Sequence, residues 1–175
     1  MYIFGEIEMK FLLPRFMFDK IEDIPLEFMK KIGVKAAILD IDNTLVEPHT
    51  PVADKRARDF VRKLEESGLL VCIVSNNIYQ RAKKFADSLN VPFVCDKNKP
   101  NKKPFLMALD ILKVNAENVM VVGDQLLTDV WGANRMGMVP VLVKPVCNKE
   151  GKFVKFKRII ERRVLRGFEG ERSDE

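Results

Sequence analysis

Three apolar runs in this chain stop abruptly at polar side chains, and this pattern constrains the fold more than any other feature. Ala36-Ala37-Ile38-Leu39 runs into Asp40-Ile41-Asp42-Asn43-Thr44, Leu69 to Val74 into Ser75-Asn76-Asn77, and Val119 to Val122 into Gly123-Asp124, with Asp129 close behind. Short runs apolar on both faces are the mark of parallel strands buried on both sides. Charge is costly inside such strands, so the carboxylates must lie where the strands exit. If the three strands are neighbours in one parallel sheet, their polar ends converge on one crevice, where open α/β sheets bind ligands.

Helical patterns fill the intervals. Ala57, Phe60, Val61 and Leu64 fall at i, i+3, i+4, i+7 in a segment from about 53 to 64, which Ser67-Gly68 stop. Ala82, Phe85, Ala86 and Leu89 repeat that spacing over 78–89, and a short strand, 92–95, follows. Pro104 is suited to a first helical turn, with Phe105, Ala108, Leu109 and Leu112 facing inward. A helix across 126–136 and a strand over 139–143 complete the series. Strand–helix alternation of this kind predicts an α/β fold: a mainly parallel central sheet covered on both faces, with right-handed crossovers. One domain over residues 1–175 is expected, extended by residues 1–34 and by a C-terminal helix at about 150–167.

Composition narrows the class. A chain of 175 residues, 47% hydrophobic and 31% charged, suits one globular core, and no apolar stretch approaches the roughly 20 residues of a membrane span. The N-terminus lacks a basic start and carries Glu6, Glu8 and Lys10, unlike a cleaved secretory signal. Cys72, Cys95 and Cys147 are odd in number and share no short spacing, which points to reduced thiols and a cytoplasmic location. Cys72, inside a strand pattern, is expected to pack in the core. A net charge of +5 favours anionic partners or serves solubility.

The strand-end residues suit phosphoryl transfer. A carboxylate can attack phosphorus and split hydrolysis into two displacements, provided that cations offset the repulsion between anions. Mg²⁺ takes a few carboxylate oxygens and keeps several waters, so Asp40 and Asp124 would serve it. Asp42 shares a strand face with Asp40 if the chain stays extended, and is then placed to move protons. Thr44 and Ser75 can donate to phosphoryl oxygens, and a lysine can neutralise them.

Asp40-Ile41-Asp42-Asn43-Thr44-Leu45 resembles the first signature of the haloacid dehalogenase superfamily of phosphohydrolases. Ser75 resembles the second, Lys103-Pro104 the third, and Gly123-Asp124 with Asp129 the fourth, in matching order. Asp124 to Asp129 and Ile73 to Asn77 are similar to subfamily IIIA, the branch that includes phosphatidylglycerophosphate phosphatases. The resemblance implies a Rossmann-like three-layer domain and a Mg²⁺-dependent phosphomonoesterase with Asp40 as nucleophile and metal ligand. It further implies Asp42 as acid/base offering its backbone carbonyl to the metal, and Asp124 as a metal ligand. Asp129 would be metal-site or lysine-orienting support, and Thr44, Ser75 and Lys103 phosphate binders. An acid at position 42 fits hydrolysis better than dehalogenation, which needs no proton donor.

Plainer readings stand beside these. Asp129 can cap or solvate the following helix, Ser75 can end its strand as an N-cap, and Asn76 and Asn77 can form a turn, although Asn76 is also a candidate substrate contact. Lys97, Lys99, Lys102 and Lys103 crowd one loop, and Lys99-Pro100 offers the same dipeptide as Lys103-Pro104. Lys103 is preferred for its place at a helix start, with Lys99 as the alternative. His49 reads as a loop residue and Trp131 as core.

About thirty residues separate Thr44 from Ser75, a span already used by a turn and a crossover helix, and the next interval is similarly filled. No cap domain is therefore expected, and the open site would admit a phosphate on a bulky molecule. The stretch Lys152 to Arg166 reads as a basic amphipathic helix, either packed with a solvated basic face or in peripheral contact with anionic phospholipid. Phe11 to Phe18 is a second candidate contact, or covers the core. With the resemblance, these features suggest a lipid phosphomonoester such as phosphatidylglycerophosphate. A nucleic-acid end, a phosphoprotein or a small metabolite is the alternative, although no nucleic-acid motif is evident. A non-catalytic binding module is the third reading.

Overall fold

A computed structural model describes residues 11–147. Its frame is a six-stranded, wholly parallel sheet. The strands are β1 (Phe16–Phe18), β2 (Ala36–Leu39), β3 (Leu70–Ser75), β4 (Phe93–Cys95), β5 (Val119–Gly123) and β6 (Val139–Val143), in spatial order β1-β6-β5-β2-β3-β4. The helices are α1 (Leu26–Lys31), α2 (Lys55–Glu66), α3 (Tyr79–Asp87), α4 (Lys102–Leu112) and α5 (Trp131–Arg135).

The period-two alternation of β2 divides the core in two. Ala37 and Leu39 join Val71, Ile73, Met120 and Val122 on the face covered by α1, α2 and α3, through Met29, Phe60, Leu64 and Phe85. Ala36 and Ile38 join Cys72, Val74, Val119 and Val121 on the opposite face, under Phe105, Ala108 and Leu112 of α4 and Ala133 of α5. Every β2 side chain is buried, which is why its run shows no alternation in the sequence. Burying one Phe or Leu side chain contributes about 1.5–3 kcal/mol, so the four inward residues of α2 suffice to hold it on the sheet.

Most elements lie where periodicity places them. Helix α2 starts at Lys55 because the Asp54 carboxylate accepts a hydrogen bond from the Ala57 backbone N–H at 2.8 Å, and it ends before Gly68, whose φ is +82°. Two features differ from expectation. Residues 126–136 form a π-helical turn over Leu126–Val130 and then the short α5, not one helix. Trp131 is only partly buried, with the Arg135 guanidinium 5.7 Å from its ring centroid. Phe16–Phe18 forms an edge strand on β6, with Phe18 buried, so this segment serves the core. The expected helix at about 150–167 lies outside the described residues.

The chain builds outward from β2 through β3 to β4, then crosses to β5 on the other side of β2. Helices α2 and α3 therefore lie on one face and α4 and α5 on the other. The reversal at β2 opens a crevice at the C-terminal ends of β2 and β5. No cap domain covers it among the described residues.

Candidate active site

Register alone brings the acids together. Leu39 lies beside Val122, and the Asp40 N–H donates to the Val122 carbonyl at 3.0 Å, so Asp40 and Asp124 leave adjacent strands at nearly the same level. One carboxylate oxygen from each of Asp40, Asp124 and Asp129 lies within 4.8 Å of the others, and all three residues are buried. The chain does not stay extended after Asp40. It turns at once, with Leu45 N–H donating to the Ile41 carbonyl and Asn43 at a φ of 61°. Arg56 of α2 holds this turn by donating to the Leu45 carbonyl at 2.6 Å. Asp40 and Asp42 nevertheless both line an open pocket of about 310 Å³, with Ser75, Asn76, Asn77, Ile78, Lys97, Lys99, Gln125 and Thr128.

The lysine at the centre is Lys99, which corrects the expectation for Lys103. Lys99 Nζ donates to Asp40 Oδ1 at 2.5 Å, Asp129 Oδ1 at 2.7 Å and the Val74 carbonyl at 2.9 Å. Its side chain is 3% exposed, whereas that of Lys103 is 72% exposed and pairs with Asp96 at 3.4 Å. The physical reason lies in the backbone. Lys103 falls in the first turn of α4, on the side away from buried Pro104 and Phe105, whereas Lys99 precedes the helix in a segment drawn over the end of β3. Asn76 Oδ1 anchors that segment by accepting the Lys99 backbone N–H at 3.2 Å.

The other expected residues divide between the pocket surface and its support. Ser75 lines the pocket, and its Oγ accepts the Asn77 N–H at 3.2 Å; it does not cap α3, whose N-cap position is Ile78. Thr44 is buried and does not line the pocket; its hydroxyl donates to Asp124 Oδ1 at 3.4 Å. Asp129 combines two readings: it accepts from Lys99 and also takes the Gln125 N–H at 3.3 Å. The π turn makes this possible, since its wider winding turns Asp129 back towards β5. Gly123 is required there, because a Cβ at that position would overlap the Asp129 side chain.

Asp42 shows a feature with no signal in the sequence. Arg81 of α3 grips it with both terminal nitrogens, Nη1 to Oδ2 at 2.8 Å and Nη2 to Oδ1 at 2.6 Å. Asn77 Nδ2 donates to Oδ2 at 2.6 Å and the His49 backbone N–H to Oδ1 at 3.3 Å. Arg81 occupies an ordinary polar position on an amphipathic helix, so only the packing of α3 against the turn after β2 reveals it.

The charge balance calls for a cation. Burial pushes the Asp40 carboxyl up to about 7, and neighbouring Asp129 adds to the effect although Lys99 opposes it. Burial alone would lower the Lys99 ammonium, but Asp129 and Asp40 outweigh it and hold its pKa above the ordinary lysine value. Three buried carboxylates thus face one buried ammonium. Such an all-oxygen set suits a hard divalent ion such as Mg²⁺.

Residues 7–147 match the family model described as mitochondrial PGP phosphatase. The chain belongs to that family. It is 42% identical over 156 residues to the protein named probable phosphatase YqeG of Bacillus subtilis, covering 89% of this chain and 91% of that one. It is 31% identical to the mitochondrial phosphatidylglycerophosphatase GEP4 of Saccharomyces cerevisiae, covering 75% and 77% of the two chains. The fold matches the cobalt-bound deoxy-D-mannose-octulosonate 8-phosphate phosphatase of Haemophilus influenzae with a TM-score of 0.53 at 14% identity, over 78% of this chain and 90% of that one. This PGP phosphatase family member is accordingly a phosphoric monoester hydrolase.

Proposed function

We propose that this protein hydrolyses the phosphomonoester of phosphatidylglycerophosphate, or of a closely related lipid, in a Mg²⁺-dependent reaction through an aspartyl-phosphate on Asp40. The observation that carries the reading is the contact of buried Lys99 with Asp40 in the lining of an uncapped pocket. The 31% identity to a relative named for this lipid supports the choice of substrate. Asp40, Asp124 and Asp129 would hold the divalent cation, with the Asp42 carbonyl as a further oxygen ligand. When bound, the ion supplies positive charge that offsets the anionic phosphoryl oxygens.

In the first half-reaction an Asp40 carboxylate oxygen attacks phosphorus, the bond from phosphorus to the alcohol oxygen breaks, and Asp42 gives that oxygen a proton. Lys99 and the Ser75 hydroxyl offset the charge of the phosphoryl oxygens. In the second half-reaction Asp42 takes a proton from water, the water oxygen attacks phosphorus, and Asp40 is released with inorganic phosphate. Thr44 acts from behind, fixing Asp124.

The test measures phosphate release by the purified protein from phosphatidylglycerophosphate in detergent micelles and from soluble sugar phosphates, with Mg²⁺ and with chelator. Lipid turnover that needs Mg²⁺ and disappears in Asp40→Asn is expected. Efficient turnover of sugar phosphates with none of the lipid would reject the substrate assignment. Activity surviving in Asp40→Asn would reject the covalent mechanism.

A further inference from the structure

Helix α4 is apolar on both sides. Its inward residues Phe105, Ala108 and Leu112 are buried against the sheet. Lys103, Leu106, Met107 and Asp110 fall at i, i+3, i+4 and i+7 on the opposite side, so they form one stripe along the helix. Ile111 lies one turn beyond Met107 at the edge of that stripe. Leu106 is 54% exposed, Met107 44% and Ile111 43%. A single exposed apolar side chain is ordinary, but three neighbours framed by charge have the layout of a contact surface.

The charges decide what that surface fits. Lys103 and Asp110 stand at equal distances, in opposite directions, from the midpoint between Leu106 and Met107. When two copies of α4 lie antiparallel about a two-fold axis through this midpoint, Lys103 of each copy meets Asp110 of the other. Leu106 of each copy then meets Met107 of the other, as a self-complementary interface requires. The present partners do not prevent this. Asp110 is held by Lys113 in an exposed i, i+3 pair, which contributes little, and Lys103 reaches Asp96 at 3.4 Å. An ammonium has three donors, so Lys103 can keep Asp96 while reaching a second carboxylate. An anionic lipid surface fits the stripe less well, because Asp110 would face it.

We propose that the outward face of α4 is the contact face of a two-fold symmetric homodimer of this chain. Three helical turns offer less than the roughly 800 Å² per partner of a standard interface, so the association is weak, with a Kd of about 10–100 μM. Leu106, Met107 and Ile111 supply the affinity, and the charged ends fix the register. Helix α4 begins just after the segment carrying Lys99, so its first turn lies at the pocket end of the sheet. Antiparallel pairing therefore points the two pockets in opposite directions and leaves both open.

Sedimentation velocity of the full chain over about 1–500 μM tests this. Wild type should pass from monomer to dimer, and Met107→Glu should raise Kd at least about tenfold by placing charge in the apolar centre. Lys103→Glu and Asp110→Lys each set like charges opposite one another in a homodimer, and each should also raise Kd at least about tenfold. An equimolar mixture of these two variants pairs opposite charges at both ends. It should form a heterodimer with about the wild-type Kd, a recovery that a role in folding alone would not produce.

A wild type that stays monomeric across the range overturns the proposal, as does a dimer that Met107→Glu leaves unweakened. So does a mixture no more associated than its two components, when circular dichroism shows both folded. A fall in Tm of dilute Met107→Glu would show that the face is packed within the chain, which also overturns it. Monomeric wild type that binds phosphatidylglycerol vesicles, with binding lost in Met107→Glu, would assign the face to lipid instead.

Discussion

Two lysines four residues apart, each followed by proline, have opposite fates here. Lys99 is buried between two carboxylates and Lys103 stands in solvent against Asp96. Lys99→Met should therefore lower turnover by about 10²–10³, the usual loss for one preorganised charge at a reacting phosphoryl or acyl group. It should also destabilise the fold by about 3–5 kcal/mol, because Asp40 and Asp129 lose their buried partner. Lys103→Met should stay within about twofold in activity, as exposed ion pairs contribute little. Steady-state kinetics and thermal unfolding of the two variants decide; similar losses in both would reassign the lysine. The dipeptide could not distinguish them, because what separates the two is the path of the loop over β3. Asp40 and Asp124 were legible for the opposite reason: an acid ending an apolar run can only lie at a strand exit, whatever the loops do.

The strands and crossover helices were read closely because burial on both faces leaves a simple signal: continuous apolar runs, separated by apolar residues at helical spacing. The segment after β5 was not. A π turn and a five-residue helix carry the same apolar spacing as one longer helix, and the wider winding is set by Asp129 reaching Lys99 and the Gln125 N–H. This turn packs closely on Gly123, and there even one methyl group matters. Gly123→Ala would push Asp129 away and should lower kcat at least about tenfold, while costing about 1–3 kcal/mol of stability through overpacking. Kinetics compared with a denaturant midpoint checks this. A variant that loses stability but keeps full kcat would show that Asp129 can move without consequence.

Across the whole molecule, three acids from two strand ends and one turn concentrate negative charge that Lys99 only partly offsets, and burial, with Asp129 adding to it, pushes Asp40 up to about 7. A divalent cation binding only the folded state should then stabilise it, by about 2.7 kcal/mol at a hundredfold excess over its Kd. For a domain of this size each kcal/mol raises Tm by about 2–4 °C. Mg²⁺ should produce a saturable rise in Tm, and Asp124→Asn should remove most of it; an identical rise in that variant would place the ion elsewhere. The central layer, its two helical covers and the meeting of Asp40 with Asp124 were all implicit in the order of residues, because alternation and burial are local patterns that a parallel sheet converts into position. Which lysine enters the centre, how Thr44 is withdrawn to Asp124, and that Arg81 takes hold of Asp42 depended on loops and a helix meeting across the sheet. Such contacts join residues up to 80 positions apart, and no local periodicity encodes them.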